Sequence, residues 1–137
     1  MKIINKNNFN KNGRCLCGGI KFKIKGNLRR VSNCHCIQCM KTHGNYASYT
    51  ACKENNLKFL KNKTLKWYKS SINAKRGFCS KCGASIFFKR IKSTYISISA
   101  GMFNNPTKLK TKMHIFTKGK LDYYVINNKI PKYHRYP

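Results

Sequence analysis

Carboxylates are almost missing from this sequence. Glu54 and Asp122 are the only two, set against 30 Lys and Arg in 137 residues, for a formal net charge of +28. A surface so unbalanced attracts polyanions, with an affinity that falls steeply as salt rises. The basic residues are spread along the whole chain, as an AT-rich genome would spread lysine, so the charge is a lead on partners and a poor one on chemistry. Long apolar runs are absent too. None approaches the ~20 residues of a membrane span, and no membrane partner is expected. Met1 to Asn12 are rich in Asn and Lys and lack the apolar core of a secretory signal. A soluble, cytoplasmic protein is the expectation. No stretch shows a capped helical period, and there is no internal repeat or linker. What remains is one mainly β domain over residues 14–137, behind a weakly ordered lead-in at 1–13.

Eight cysteines stand out against this background. With no secretory signal and with C-x-C and C-x-x-C spacings, they suit metal chelation better than disulfide pairing. The densest stretch is Cys34-His35-Cys36-Ile37-Gln38-Cys39. Extended backbone puts Cys34 and Cys36 on one face, and a turn through Ile37 and Gln38 brings Cys39 round to them. His35 then faces away. Three thiolates leave a tetrahedral Zn²⁺ with one open position, as at catalytic zinc. Cys79-Ser80-Lys81-Cys82-Gly83 reads as a zinc knuckle, with Gly83 in the left-handed conformation that closes the turn. Cys15 and Cys17 precede Gly18 and Gly19, which let backbone N–H groups approach the sulfurs. Spacing alone does not fix the partners. Cys15, Cys17, Cys79 and Cys82 make one closed set, but Cys15, Cys17, Cys34 and Cys36 satisfy the same arithmetic.

Alternation of apolar and basic residues predicts a strand over Ile20 to Lys25. Further strands are predicted at 46–52, 57–60, 65–68, 85–89, 95–100, 114–117 and 121–126. Residues 41–45 read as a loop and 101–106 as a turn. Trp67 and Tyr68 read as core and rim aromatics, and 130–137 as a tail packed over the sheet or disordered.

The segments Cys15-Leu-Cys-Gly-Gly, Val31-Ser-Asn-Cys-His-Cys-Ile-Gln-Cys, Arg76-Gly-Phe-Cys-Ser-Lys-Cys-Gly and Ile96-Ser-Ile-Ser-Ala-Gly occur in one order and spacing. Together they resemble the glutathione-dependent formaldehyde-activating enzyme family, whose eukaryotic relatives include centromere protein V. The resemblance implies an all-β, Mss4-like tent of small antiparallel sheets joined by zinc-binding cysteine clusters. It implies two Zn²⁺ per chain. Cys15, Cys17, Cys79 and Cys82 would hold a structural ion, and Cys34, Cys36 and Cys39 an open, catalytic one. Cys52 lies outside the pattern and reads as a small buried hydrophobe. The implied reaction is that of a carbon–sulfur lyase joining glutathione and formaldehyde into S-hydroxymethylglutathione.

An open three-thiolate zinc is a poor Lewis acid but suits a substrate thiol held as thiolate, ready to attack a small carbonyl. Lys41, His43, Lys75 and Arg76 are the nearest polar groups in sequence and are candidates for a basic rim, although each reads first as solvated surface. His43 is alternatively a fourth ligand that closes the site. His35 reads as a hydrogen-bonded structural histidine, and His114 and His134 receive no role. Ser97 and Ser99 are one face of a strand, with no acid–base partner to make them nucleophiles. The lyase is the leading reading. A basic nucleic-acid-binding zinc protein and a non-catalytic zinc-stabilised β domain are the alternatives.

Overall fold

Phe22 and Ile24 alternate with Lys21, Lys23 and Lys25, which gives a strand one dry face and one wet face. In the structure, a computed structural model that describes residues 9–137, both apolar side chains are fully buried. The first half of the chain contains β1 (Phe9–Arg14), β2 (Lys21–Lys25), β3 (Val31–Cys34), α1 (Ile37–His43), β4 (Ala47–Lys53) and β5 (Leu57–Lys61). The second half contains β6 (Leu65–Ser71), β7 (Ala74–Cys79), β8 (Ser85–Arg90), β9 (Tyr95–Ser99) and β10 (Thr111–Ile115). The fold is mostly β, as expected, in two sheets. One is three-stranded, in the order β1-β2-β5, and the other runs β10-β3-β4-β9-β8-β7-β6. Among the described residues all strand pairings are antiparallel except β10 with β3, a parallel pair that the expected antiparallel tent did not include.

The main core lies between the sheets. Phe22 and Ile24 from the small sheet, with Ile20 just before β2, meet Ile86, Phe87 and Ile98 from the large one. The Phe22 ring sits 5.3 Å from Phe87 and 5.9 Å from Phe103, and Trp67 stacks on Phe87 at 6.0 Å. Each fully buried side chain of this core contributes about 1.5–3 kcal/mol, whereas Trp67, expected in the core, covers it from outside at 37% exposure. A second, smaller cluster gathers Cys34, Cys39, Ala47, Tyr49 and Ile115 beneath α1.

Several expectations are corrected. Phe9–Arg14 is a strand, so the lead-in does not extend to residue 13; residues 1–8 lie outside the described part. This strand carries no alternation because it is an edge strand held by backbone pairing to β2. Residues 41–43 of the loop expected at 41–45 are instead the end of α1, a helix too short to display a period, while Gly44 and Asn45 do leave the helix. β3, which no strand expectation covered, is an interior strand with all four residues buried. Residues 121–126 form no strand; Leu121, Tyr123 and Val125 point into solvent while Tyr124 packs on His35. The tail is ordered along β10. His114 N–H donates to the Pro131 carbonyl at 2.9 Å, and Tyr133 N–H donates to the His114 carbonyl at 2.9 Å. That covers a sheet edge that would otherwise be open to pairing.

Candidate metal centres

Both cysteine pairs flanked by glycine lie in hairpin turns. Cys15 and Cys17 occupy the turn from β1 to β2, and Cys79 and Cys82 the turn from β7 to β8. Because β2 and β7 belong to different sheets, the two turns meet where the sheets meet. The four sulfurs lie within 4.8 Å of one another, with Cys15–Cys17 and Cys17–Cys79 separations of 3.6 Å. Backbone N–H groups donate to them: Ile20 to Cys15 at 3.3 Å, Gly19 to Cys17 at 3.4 Å and Cys82 to Cys79 at 3.4 Å. Gly83 has φ 76°, and its N–H closes the turn onto the Cys79 carbonyl at 2.8 Å. A Cβ on Gly19 would come within 2.5 Å of the Thr64 hydroxyl.

The other three cysteines come together separately, also within 4.8 Å. Cys34 ends β3, Cys36 caps α1 and Cys39 lies in its first turn. The cap is the Cys36 sulfur, which accepts from the Cys39 N–H at 3.3 Å in place of the usual oxygen. Cys34 and Cys39 are buried and Cys36 half-buried. Hydrogen bonds from Cys34 and Cys39 pull the Cys36 thiol down to about 2, and the same contacts push Cys34 up. Either group of cysteines can hold one metal ion. The alternative set, Cys15 and Cys17 with Cys34 and Cys36, is not brought together.

Arg76 is the unexpected feature. It sits three residues before Cys79, but odd spacing on a strand sends its side chain to the opposite face. There it is buried, at 7% exposure, against the three-cysteine group. Its guanidinium donates to Tyr49 Oη at 3.1 Å, Thr42 Oγ1 at 3.3 Å, Gln38 Oε1 at 3.4 Å and Cys39 Sγ at 3.6 Å. Burial opposes its charge, but the Cys39 sulfur, Tyr49 and Cys36 outweigh that and hold its pKa above the ordinary value. The expectation that Arg76 is solvated surface is wrong. Burial, followed by the Cys39 charge, pushes the Tyr49 phenol up.

His43 turns to Tyr49, with Nε2 at 2.8 Å from the hydroxyl, so the three sulfurs group without it. Burial and the Arg76 charge lower its ring to about 4, leaving it neutral near pH 7. Lys41 is exposed and Lys75 covers the Trp67 ring at 4.3 Å; neither approaches the cysteines through any hydrogen bond. His35 does face away, fully buried, with Nε2 at 3.1 Å from His114 Nδ1. His114, given no role from sequence, is its partner. Among the described residues His134 makes no side-chain hydrogen bond. Ser99 donates to the Ser85 carbonyl at 2.9 Å. Cys52 is buried in the core, where burial raises its thiol to about 11.

A cavity of about 680 Å³ opens beside Cys34, Cys36 and Cys39. Its wall also carries Arg29, Arg90 and Lys112, three cations that sequence reasoning did not select. They lie in or beside different strands, and no local motif marks them. Arg29 donates to the Tyr49 carbonyl at 3.0 Å and Arg90 to Tyr136 Oη at 3.1 Å.

Among known proteins, an uncharacterized lyase of Schizosaccharomyces pombe is 27% identical over 120 residues, covering 85% of each chain. A crystal structure of a Rhodobacter sphaeroides protein superposes with a TM-score of 0.56 at 19% identity, over 74% of this chain and 99% of that one. That likeness supports the fold. Residues 10–119 match the family described as glutathione-dependent formaldehyde-activating enzyme. On that span, which includes all seven cysteines of the two centres, the chain belongs to the glutathione-dependent formaldehyde-activating enzyme family.

Proposed function

We propose that the protein is a zinc-dependent carbon–sulfur lyase that joins glutathione and formaldehyde into S-hydroxymethylglutathione, or handles a closely related thiol adduct. Family membership supports the lyase class. The observation that carries the reading is the three-sulfur group opening onto a cavity with a basic wall. The donor sets fit zinc. They are all thiolate, which suits a soft or borderline ion. The 3.6 Å sulfur separations are near the ~3.8 Å edge of a tetrahedron with Zn–S of about 2.3 Å. Cys15, Cys17, Cys79 and Cys82 would hold the structural ion, and Cys34, Cys36 and Cys39 the catalytic one. When bound at the three-cysteine group, zinc supplies an open position that lowers a substrate thiol's pKa and keeps its sulfur nucleophilic.

The chain's own residues do the rest. Arg29, Arg90 and Lys112 attract an anionic thiol such as glutathione into the cavity. The thiol sulfur bonds to the formaldehyde carbon as the C=O π bond opens, and the thiol proton ends on the hydroxymethyl oxygen. The test is NMR exchange spectroscopy on glutathione and formaldehyde at equilibrium, with zinc-loaded protein and with Cys36→Ser. Acceleration of adduct formation by the wild type and its loss in the variant are expected. No acceleration with two zinc ions bound would sink this substrate pair.

A second reading, binding of nucleic-acid phosphates, is favoured by one observation. On the outer face of the small sheet, Lys21 lies opposite both Arg14 and Lys61, and Lys23 lies opposite Lys58. Like charges directly opposed destabilise a sheet, and a polyanion across them would relieve that. Replacing Lys21, Lys23 and Lys58 together by Gln should reduce the log–log salt slope of duplex DNA binding by about 3. An unchanged slope would remove this reading.

A further inference from the structure

A guanidinium as deeply buried as Arg76 requires a counter-charge. No carboxylate supplies it: among the described residues the single ion pair is Lys89 with Glu54, at 3.1 Å. Tyr49, Thr42 and Gln38 are neutral partners, Phe88 offers a ring face at 5.0 Å, and Nε is buried with no partner at all. The remaining contact is the Cys39 sulfur at 3.6 Å. The buried cation therefore has one candidate anion, the three-cysteine group.

We infer that Arg76 is the resident counter-cation of the three-cysteine centre and the residue that lets this centre take a thiolate as its fourth ligand. The inference rests on reading that centre as a thiol-binding zinc site. Three thiolates around a divalent ion carry one net negative charge, which Arg76 neutralises. An incoming thiolate then returns the site to one negative charge, where without Arg76 it would reach two in a buried pocket of low dielectric. The four-cysteine centre tolerates its two negative charges differently. Cys17 is exposed there, so water reaches one of its four sulfurs, and backbone N–H groups of Gly19 and Ile20 donate to Cys17 and Cys15. Arg76 is thus a positioning residue whose charge, more than its shape, matters. Lys in its place keeps the charge and loses the planar fork.

The test uses the full chain loaded with Co²⁺, titrated with 2-mercaptoethanol, a neutral thiol that leaves the basic cavity wall out of the comparison. The visible cobalt spectrum reports a fourth sulfur, and the spectrum of the four-cysteine centre reports folding. Arg76→Gln should weaken thiol binding by more than about tenfold while Arg76→Lys stays within about tenfold of the wild type, a tenfold change being 1.4 kcal/mol. Any other ranking overturns the inference: a smaller loss in Arg76→Gln, or an equal loss in both. Should Arg76→Gln lose the four-cysteine spectrum, Arg76→Lys decides alone by the same tenfold limit. A wild type whose spectrum ignores the thiol sinks the thiol-binding reading of the centre and this inference with it, an outcome distinct from the failure of Arg76 alone.

Discussion

The two cysteine centres are made of the same ligand atom and sit in opposite surroundings. One draws two sulfurs from each of two hairpin turns, joins the two sheets, and has an exposed cysteine among its members. The other takes one sulfur from a strand end and two from the start of a helix, all in one sheet's neighbourhood, and lies against a buried Arg, a buried Tyr and a cavity. Four ligands that bridge sheets are suited to holding a fold together. Three ligands at a cavity wall are suited to binding something else. The difference lies in what surrounds the sulfurs, not in the sulfurs.

The largest effect that would break this comparison comes from removing one ligand at each centre. Cys82→Ser should unfold the domain, because metal binding at a closed site is folding free energy on the order of 10–16 kcal/mol. Cys36→Ser should keep a melting temperature within a few degrees of the wild type and lose activity. Metal analysis and circular-dichroism melting check both, and equal loss of structure in the two variants would erase the proposed division. Next comes Gly19→Ala, whose Cβ would meet the Thr64 hydroxyl at 2.5 Å and the Cys17 sulfur at 3.3 Å. A cost of about 1–3 kcal/mol in denaturant unfolding is expected, with thiol binding at the other centre unchanged. Tyr49→Phe acts on the second region only. It strips Arg76 and His43 of a hydroxyl partner, for about 1–2 kcal/mol and a fall in activity, without altering metal content.

A further effect, confined to acid, is a pH dependence. The folded His43 ring is lowered to about 4 from 6.5, so the folded state binds fewer protons than the unfolded one between those values. Its contribution to stability is fully present above pH 6.5 and is lost as pH falls through 4. Ring resonances in an NMR titration should move with a midpoint near 4. A midpoint near 6.5 would mean that the second region is wetter than the structure has it.

How much of this was readable beforehand depended on whether the signal was local. β2 announces itself by alternation because one of its faces is wet. β7 does not, because both its faces are covered, Ala74, Arg76, Gly77 and Cys79 all being buried. α1 escaped because seven residues cannot show a period and because its cap is a sulfur. The cysteine groupings followed from family resemblance, spacing having left two partitions open. Arg76 was noticed for its nearness to Cys79, yet it serves the other centre, since strand geometry separates neighbours three apart. Tyr49, Arg29, Arg90 and His114 reach their places through strand pairings across the chain, and nothing beside them in sequence marks that destination.

The most direct measurement is zinc-edge anomalous crystallography before and after soaking with glutathione. Two peaks are expected, one amid Cys15, Cys17, Cys79 and Cys82 and unchanged by the soak. The other, held by Cys34, Cys36 and Cys39, should gain a fourth sulfur from glutathione in the cavity. A second peak already closed by four protein ligands, or one that ignores glutathione bound elsewhere, would contradict the account.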